Sequence, residues 1–324
     1  MRDPESRAYS AAYLAEAFER ERGKAVRFRR PLSLVFLAID GGGFPPETVR
    51  DHRAPETLAC MVEELRKTFR GSDFIARFAH DRFCVVLPET DRFGSVLAIR
   101  RLRKTVREME IFRFPGRKLD LDPVFAPATW PLEGESFADL YRSAENKLLR
   151  RRESPLHRLR LEGKTFWEAC RLLASGADVS PAQGRSGRFS LHRRAYLRLV
   201  EAIAQDVCAI GDSRAIVIAA GPRPEIFKQI CLSFNPGGPE RCAIRIVGRS
   251  CETPPDDGNM THFYIDDEAL EENEFLLYRR ENGAYGIFAA VQGEEVRGFH
   301  SADEWLVDAM TEKLQETYPS LGTH

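Results

Sequence analysis

Residues 32–39, Leu-Ser-Leu-Val-Phe-Leu-Ala-Ile, constrain this chain more than any other stretch. Apolar side chains fall on both sides of the pleat, so a strand here must lie inside a sheet with both faces covered. Pro31 stops the helical pattern of residues 8–29 just before it. After it, Asp40 leads into Gly41, Gly42, Gly43, Pro45 and Pro46, an evident loop. A second apolar run, Phe83 to Leu87, follows a short alternating one in which Phe74, Ala76 and Phe78 face away from Ile75 and Arg77. Together they predict a β-hairpin. Its tip, Ala79-His80-Asp81-Arg82, has no glycine, although tight hairpins favour one for positive φ. Amphipathic helices are expected over 55–69, 93–106 and 137–151, and a further strand near 119–128. This alternation predicts an α/β fold in which a central sheet is flanked by helices.

The 324 residues are enough for two domains with separate cores. Charged residues make up 30% yet leave a net charge of −1, which argues against a general nucleic-acid binder. Seven cysteines are scattered with no Cys-x-x-Cys pair and no Cys/His cluster, the pattern of reduced core residues. No signal peptide and no membrane-spanning run is apparent, so a cytoplasmic protein without membrane insertion is expected. Lys147, Arg150, Arg151 and Arg152 read as cations closing a helix against its dipole.

Residues 1–155 are expected to form the first domain, 156–188 a Gly/Pro-containing connector, and 189–324 a second, α/β sensor-like domain. In the second domain the pattern predicts helices over 194–208 and 225–232, and strands over 215–220 and 242–247. A strand at 263–265, a hairpin across Glu281-Asn282-Gly283 and a closing helix over 302–318 follow. No Walker motif, no G-x-S-x-G and no metal-ligand cluster occurs there.

The first half resembles the GGDEF domain, the fold of diguanylate cyclases that condense two GTP into cyclic di-GMP. Asp3-Pro4 before a long helix is similar to that family's opening Asp-x-Leu-Thr turn, without the Leu and Thr. Arg30-Pro31-Leu32-Ser33-Leu34 resembles its entry into the first strand, and Phe83 to Pro88 with Glu89 and Thr90 the segment after its signature. The resemblance implies that Ala79, His80, Asp81, Arg82 and Phe83 stand where the Gly-Gly-(Asp/Glu)-Glu-Phe signature would be. Asp81 keeps one metal carboxylate and Phe83 the core anchor. Ala38 stands where the family has a metal-binding Asp, and Asp40 matches the second Asp of that strand. Alanine cannot ligate Mg²⁺. The expectation is therefore a non-enzyme, a degenerate cyclase with no metal and no cofactor.

The resemblance also implies a binding site. The family's inhibitory site is an Arg-x-x-Asp placed five residues before the signature, and Arg70-Gly71-Ser72-Asp73 reproduces it, with Arg101 completing it on the next helix. Arginine can fork onto guanine O6 and N7, while a carboxylate accepts from N1 and N2. The plainer reading of Arg70 and Asp73 is a surface ion pair worth ~0–1 kcal/mol. The second half weakly resembles the DICT sensor domain through an acidic turn, a strand pair, an Arg-Gly-Phe turn and a closing helix. The expected function is a cyclic di-GMP receptor acting through Arg70, Asp73 and Arg101 and signalling to a protein partner, with a homodimer possible. The alternatives are an interaction scaffold that binds no nucleotide, and residual GTP binding or diguanylate cyclase activity. Ala38 and Arg82 weigh against the enzyme; Arg70, Asp73 and Arg101 weigh against the bare scaffold.

Overall fold

The structure, a computed structural model, describes residues 2–39, 55–79, 81–109, 124–151, 153–175, 186–209, 215–221, 242–249, 260–280 and 283–322. The chain divides into two compact units, Met1–Arg150 and Arg151–His324, each with its own sheet.

The first unit opens with α1 (Ala11–Phe28), capped at its start by the Ser10 hydroxyl, which accepts from the Tyr13 N–H. It ends where Arg29 turns left-handed at φ 51° and Arg30 N–H returns to the Ala25 carbonyl, after which Pro31 releases the chain. Strand β1 (Leu32–Ala38) then runs through the middle of a four-stranded antiparallel sheet ordered β2-β3-β1-β4. Its neighbours are β3 (Arg82–Pro88) and β4 (Val124–Trp130); β2 (Phe74–Ala79) pairs with β3 at one edge. β4 is the other edge, which is why it tolerates Pro127. Every residue of β1 is buried.

The two-residue period of these strands sorts their side chains between two helical layers. Val35, Leu37, Ile75, Phe83, Val85 and Leu87 pack under α2 (Pro55–Arg66) and α3 (Arg92–Glu108). Leu34, Phe36, Ala76, Cys84, Val86 and Ala128 pack under α1 and α4 (Phe137–Arg151). The α/β fold with a central sheet flanked by helices is thus the observed one. The helix expected to reach Phe69 stops as α-helix at Arg66 and tightens into turns, with Lys67, Thr68 and Phe69 donating three residues back. The glycine-free tip has a structural counterpart in the hairpin itself. Pairing passes from Arg77↔Phe83 to Ala79↔Arg82, so Phe78 is a bulge. Its ring sits 5.9, 6.0 and 5.3 Å from those of Phe36, Phe137 and Tyr141. Lys147, read as a helix-closing cation, instead ties α4 to the sheet through Glu133 and the Pro127 carbonyl.

The second unit holds a seven-stranded sheet ordered β5-β11-β10-β9-β6-β7-β8. Its strands are β5 (Ser186–His192), β6 (Ala215–Ala220), β7 (Cys242–Gly248), β8 (Met260–Tyr264), β9 (Asn273–Arg280), β10 (Gly283–Gln292) and β11 (Glu295–Ser301). β6, β7 and β8 are parallel and the remaining pairs antiparallel. The segment read as a connector supplies α5 (Pro155–Arg158) and α6 (Phe166–Ser175) to this unit. Leu156, Leu161, Phe166, Ala169 and Leu173 share a core with Leu306, Val307, Met310 and Leu314 of the closing helix. Helix α7 (Arg193–Ala209) covers the opposite face through Tyr196 and Val200, α8 (Ala269–Glu272) is a short turn, and α9 (Glu304–Thr317) closes the chain. Trp167 Nε1 donates to both Asp267 and Tyr318, and Tyr318 donates to Asp267, joining α6, the acidic turn and the end of α9. The helix expected over 225–232 lies outside the described residues. Arg297-Gly298-Phe299, expected as a turn, is the middle of β11.

Gly298 has a physical reason to be glycine: a Cβ there would stand 2.4 Å from the Phe288 carbonyl oxygen and 2.9 Å from Ala289 Cα. Backbone cannot yield as a side-chain tip can. Gly298→Ala is expected to destabilise the chain by about 1–3 kcal/mol, read as a lower midpoint of the second unit in chemical denaturation. An unchanged midpoint would show that β10 and β11 can separate freely.

Candidate functional site

The site lies around β2, the edge strand whose two ends are the Arg70–Asp73 turn and the hairpin tip. What holds β2 in place is a residue that the sequence reading treated only as part of an alternating strand. Arg77 is 6% exposed and pairs with Asp3 at 3.1 Å and Glu5 at 2.5 Å. Asp3 Oδ1 also accepts from the Ser6 N–H and hydroxyl. Burial works to raise the Asp3 pKa, but the Ser6 hydrogen bonds and Arg77 outweigh it and hold the carboxyl below its ordinary value. The same segment docks by backbone: Tyr9 N–H donates to the Ile75 carbonyl and Arg77 N–H to the Tyr9 carbonyl. An acid three residues before a serine and far from Arg77 in sequence gives no local signal of this pairing.

The Arg70–Asp73 turn is closed from both sides. Asp73 N–H donates to the Arg70 carbonyl at 3.0 Å, and Arg70 N–H donates to Asp73 Oδ2 at 2.9 Å. Ser72 Oγ donates to Asp73 Oδ1 at 3.3 Å. The carboxylate thus secures its own turn, and the plainer reading of a side-chain ion pair between Arg70 and Asp73 is not realised. The Arg70 side chain is exposed. Arg101 is also exposed, on α3 between the buried Ile99 and Leu102. The turn follows α2, and α2 and α3 share one core face. Arg70 and Arg101 therefore belong to the same helical layer, while no contact between their side chains is present among the described residues.

At the hairpin tip, Ala38 of β1 lies opposite Arg82, and Ile39 N–H donates to the Asp81 carbonyl. Asp81 pairs with Arg82 at 3.0 Å. Tyr141 of α4 stands beside both Arg82 and Glu145; burial, then its bond to Glu145, raises its pKa. Phe83 is fully buried, as its anchoring role requires. Ala79 ends β2, while Asp40 and His80 lie outside the described residues. The resemblance implies Mg²⁺ at this end. Among the described residues the donors are one carboxylate, Asp81, already paired with Arg82, beside an alanine. Asp81 could supply one oxygen ligand to such an ion, which takes oxygen ligands in near-octahedral geometry. No group of three His, Cys, Asp or Glu able to hold a metal occurs among the described residues.

Comparison with known proteins places this geometry in a family. Residues 1–156 match the family model described as diguanylate cyclase, GGDEF domain. The first unit is a GGDEF domain. Two curated relatives from Pseudomonas aeruginosa match over parts of their length. The diguanylate cyclase DgcP is 31% identical over 121 residues, 37% of this chain and 18% of the relative. The cyclic di-GMP phosphodiesterase NbdA is 27% identical over 113 residues, 35% of this chain and 14% of the relative. This chain therefore spans under a fifth of the length of either. The solved diguanylate cyclase SiaD, in complex with its activator SiaC, is 21% identical with a TM-score of 0.40, covering 48% of this chain and 58% of that one.

These matches overturn the expectation of a non-enzyme. The model that fits is that of the diguanylate cyclases, and a relative of that activity aligns with it. Substitution at Ala38 and Arg82 leaves Asp81, Phe83 and the hairpin that presents them in place, so it does not establish loss of the active-site motif. Among the described residues no helix is long and apolar enough to cross a membrane.

The Arg77 lock has two measurable consequences. Because Asp3 titrates below its usual value when folded, its contribution is complete above the unfolded pKa near ~3.9. It is lost as pH falls through the lower folded value. Asp3→Asn should flatten the loss of stability below about pH 4, followed by denaturant midpoints across that range; an unaltered slope would place the titration elsewhere. Arg77→Met keeps the buried stem but strands Asp3 and Glu5, and should cost about 1–3 kcal/mol in the same assay.

Proposed function

We propose that the first unit is a cyclic di-GMP-binding signalling domain whose ligand is taken by Arg70, Asp73 and Arg101, and that the second unit serves sensing or relay to a protein partner. The observation that carries the reading is the closed Arg70–Asp73 turn. Its two reciprocal bonds fix the backbone that presents an exposed Arg70, on the same helical layer as the exposed Arg101. A planar guanidinium suits the O6/N7 edge of guanine, where a lysine would offer only a point charge. Asp73 has further lone pairs beyond those that hold the turn, so it can still accept from guanine. Titration calorimetry with cyclic di-GMP tests this. Arg70→Ala and Arg101→Ala should each weaken binding by about 1–3 kcal/mol, the range for a bidentate guanine contact. No heat with the wild type, or wild-type affinity in both variants, sinks the reading and favours the scaffold.

A second reading, diguanylate cyclase activity, is favoured by the family match and by Asp81. Supplied with GTP, Mg²⁺ and Mn²⁺, such an enzyme should form cyclic di-GMP in a manner abolished by Asp81→Ala. Product that persists in that variant would argue against the hairpin tip as its source.

A further inference from the structure

The N-terminal turn gathers more positive charge than its acids neutralise. Arg66, in the last turn of α2, donates from Nη2 to the Arg7 carbonyl at 2.7 Å. Arg2 donates from Nη1 to the same carbonyl at 3.4 Å. Two guanidinium groups therefore meet at one oxygen. The acids of the same turn are committed elsewhere, since Asp3 and Glu5 both face Arg77. Glu63, one turn back on α2, acts on Arg66 only through space. Burial, then the charge of Arg2, lowers the Arg66 pKa, as expected of a cation short of counter-charge.

The surroundings are fixed and flat. Arg2 lies over the Tyr9 ring at 5.4 Å. Tyr9 stacks on Tyr13 with ring centres 4.1 Å apart, and Phe74 abuts both edge-on at 5.8 and 5.7 Å. The turn is held by Asp3 N–H to Ala8 O, Arg7 N–H to Asp3 O and the left-handed Arg7 at φ 57°. Two arginine forks on a rigid turn are what an oxyanion with several acceptors requires.

We propose that Arg2 and Arg66 form a phosphate-binding site beside the Tyr9–Tyr13 pair, taking inorganic phosphates or the phosphate group of a nucleotide. It is separate from the Arg70–Asp73–Arg101 reading and does not rest on it. Bound phosphate would draw the two guanidinium groups onto shared oxygens, with charge-assisted bonds stronger than those to the Arg7 carbonyl.

Calorimetry on the full chain at low salt decides it, with sodium pyrophosphate in one arm and GTP in the other. Arg2→Gln alters an exposed side chain and leaves the Arg77 lock untouched. It should weaken binding about tenfold, the effect of one hydrogen bond to a charged group, and Arg66→Gln should do the same. Arg70→Ala should leave pyrophosphate binding unchanged, which separates this site from the proposed cyclic di-GMP site. Binding of pyrophosphate with this pattern identifies free phosphates as sufficient ligands. Binding of GTP alone, with the same dependence on Arg2, identifies a nucleotide phosphate as the ligand. Absence of binding in both arms, or affinities indifferent to both Arg2→Gln and Arg66→Gln, overturns the proposal.

Discussion

The buried Arg77 with its two acids is the interaction on which the first unit's functional edge depends. β2 pairs with β3 on one side only, so ladder hydrogen bonds alone fix it from one direction. The other direction is supplied by residues 2–9, joined to β2 through Tyr9 and fixed by Arg77 to Asp3 and Glu5. A buried cation without partners would be costly, so the pairing is enforced in both directions: Arg77 needs the acids, and the turn needs Arg77. Both candidate sites inherit their geometry from this arrangement, because the Arg70–Asp73 turn begins β2 and the Arg2–Arg66 pair straddles the docked segment.

The two ends of β2 follow different physical rules. At its start, Asp73 uses its carboxylate on the backbone of its own turn, and the Arg70 side chain stands exposed beside it. At its end, Phe78 is displaced into an aromatic cluster with Phe36, Phe137 and Tyr141, and the chain turns without a described glycine. The opposite charges of Asp81 and Arg82 partly cancel at the tip. A hairpin tip bearing a salt bridge offers an anionic ligand a different field from one bearing two acids.

Much of this was legible in the chain. β1 could be placed because all of its seven positions but Ser33 are apolar, on both sides of the pleat, which is the pattern of an interior strand. The α2 and α3 stripes were equally clear. β5 and β11 were not: Ser-Gly-Arg-Phe-Ser-Leu-His and Glu-Val-Arg-Gly-Phe-His-Ser mix glycine, serine and charge, and their pairing is non-local. Gly298, which looks like a turn residue, is demanded by the close approach of β10. Within the segment read as a connector, Leu156, Phe166 and Leu173 bury against a helix about 140 residues onward, a non-local packing of the same kind. At the site, the resemblance to the family singled out Arg70, Asp73 and Arg101 as candidates. It could not show that Asp73 bonds to its own turn, nor that Arg77 reaches back to residue 3. The inference from Ala38 to a lost activity failed because one side chain is a small part of what defines a family.

Tyr9 does more than dock the N-terminal turn. Its N–H and carbonyl are spent on Ile75 and Arg77, in the middle of an edge that would otherwise offer unpaired donors and acceptors to any extended chain nearby. Open strand edges are templates for intermolecular pairing. Residues 2–9 therefore act as a guard against self-association through β2, and anything that pulls the turn away, whether a lost charge at Arg77 or acid, exposes a sticky edge as well as a looser fold.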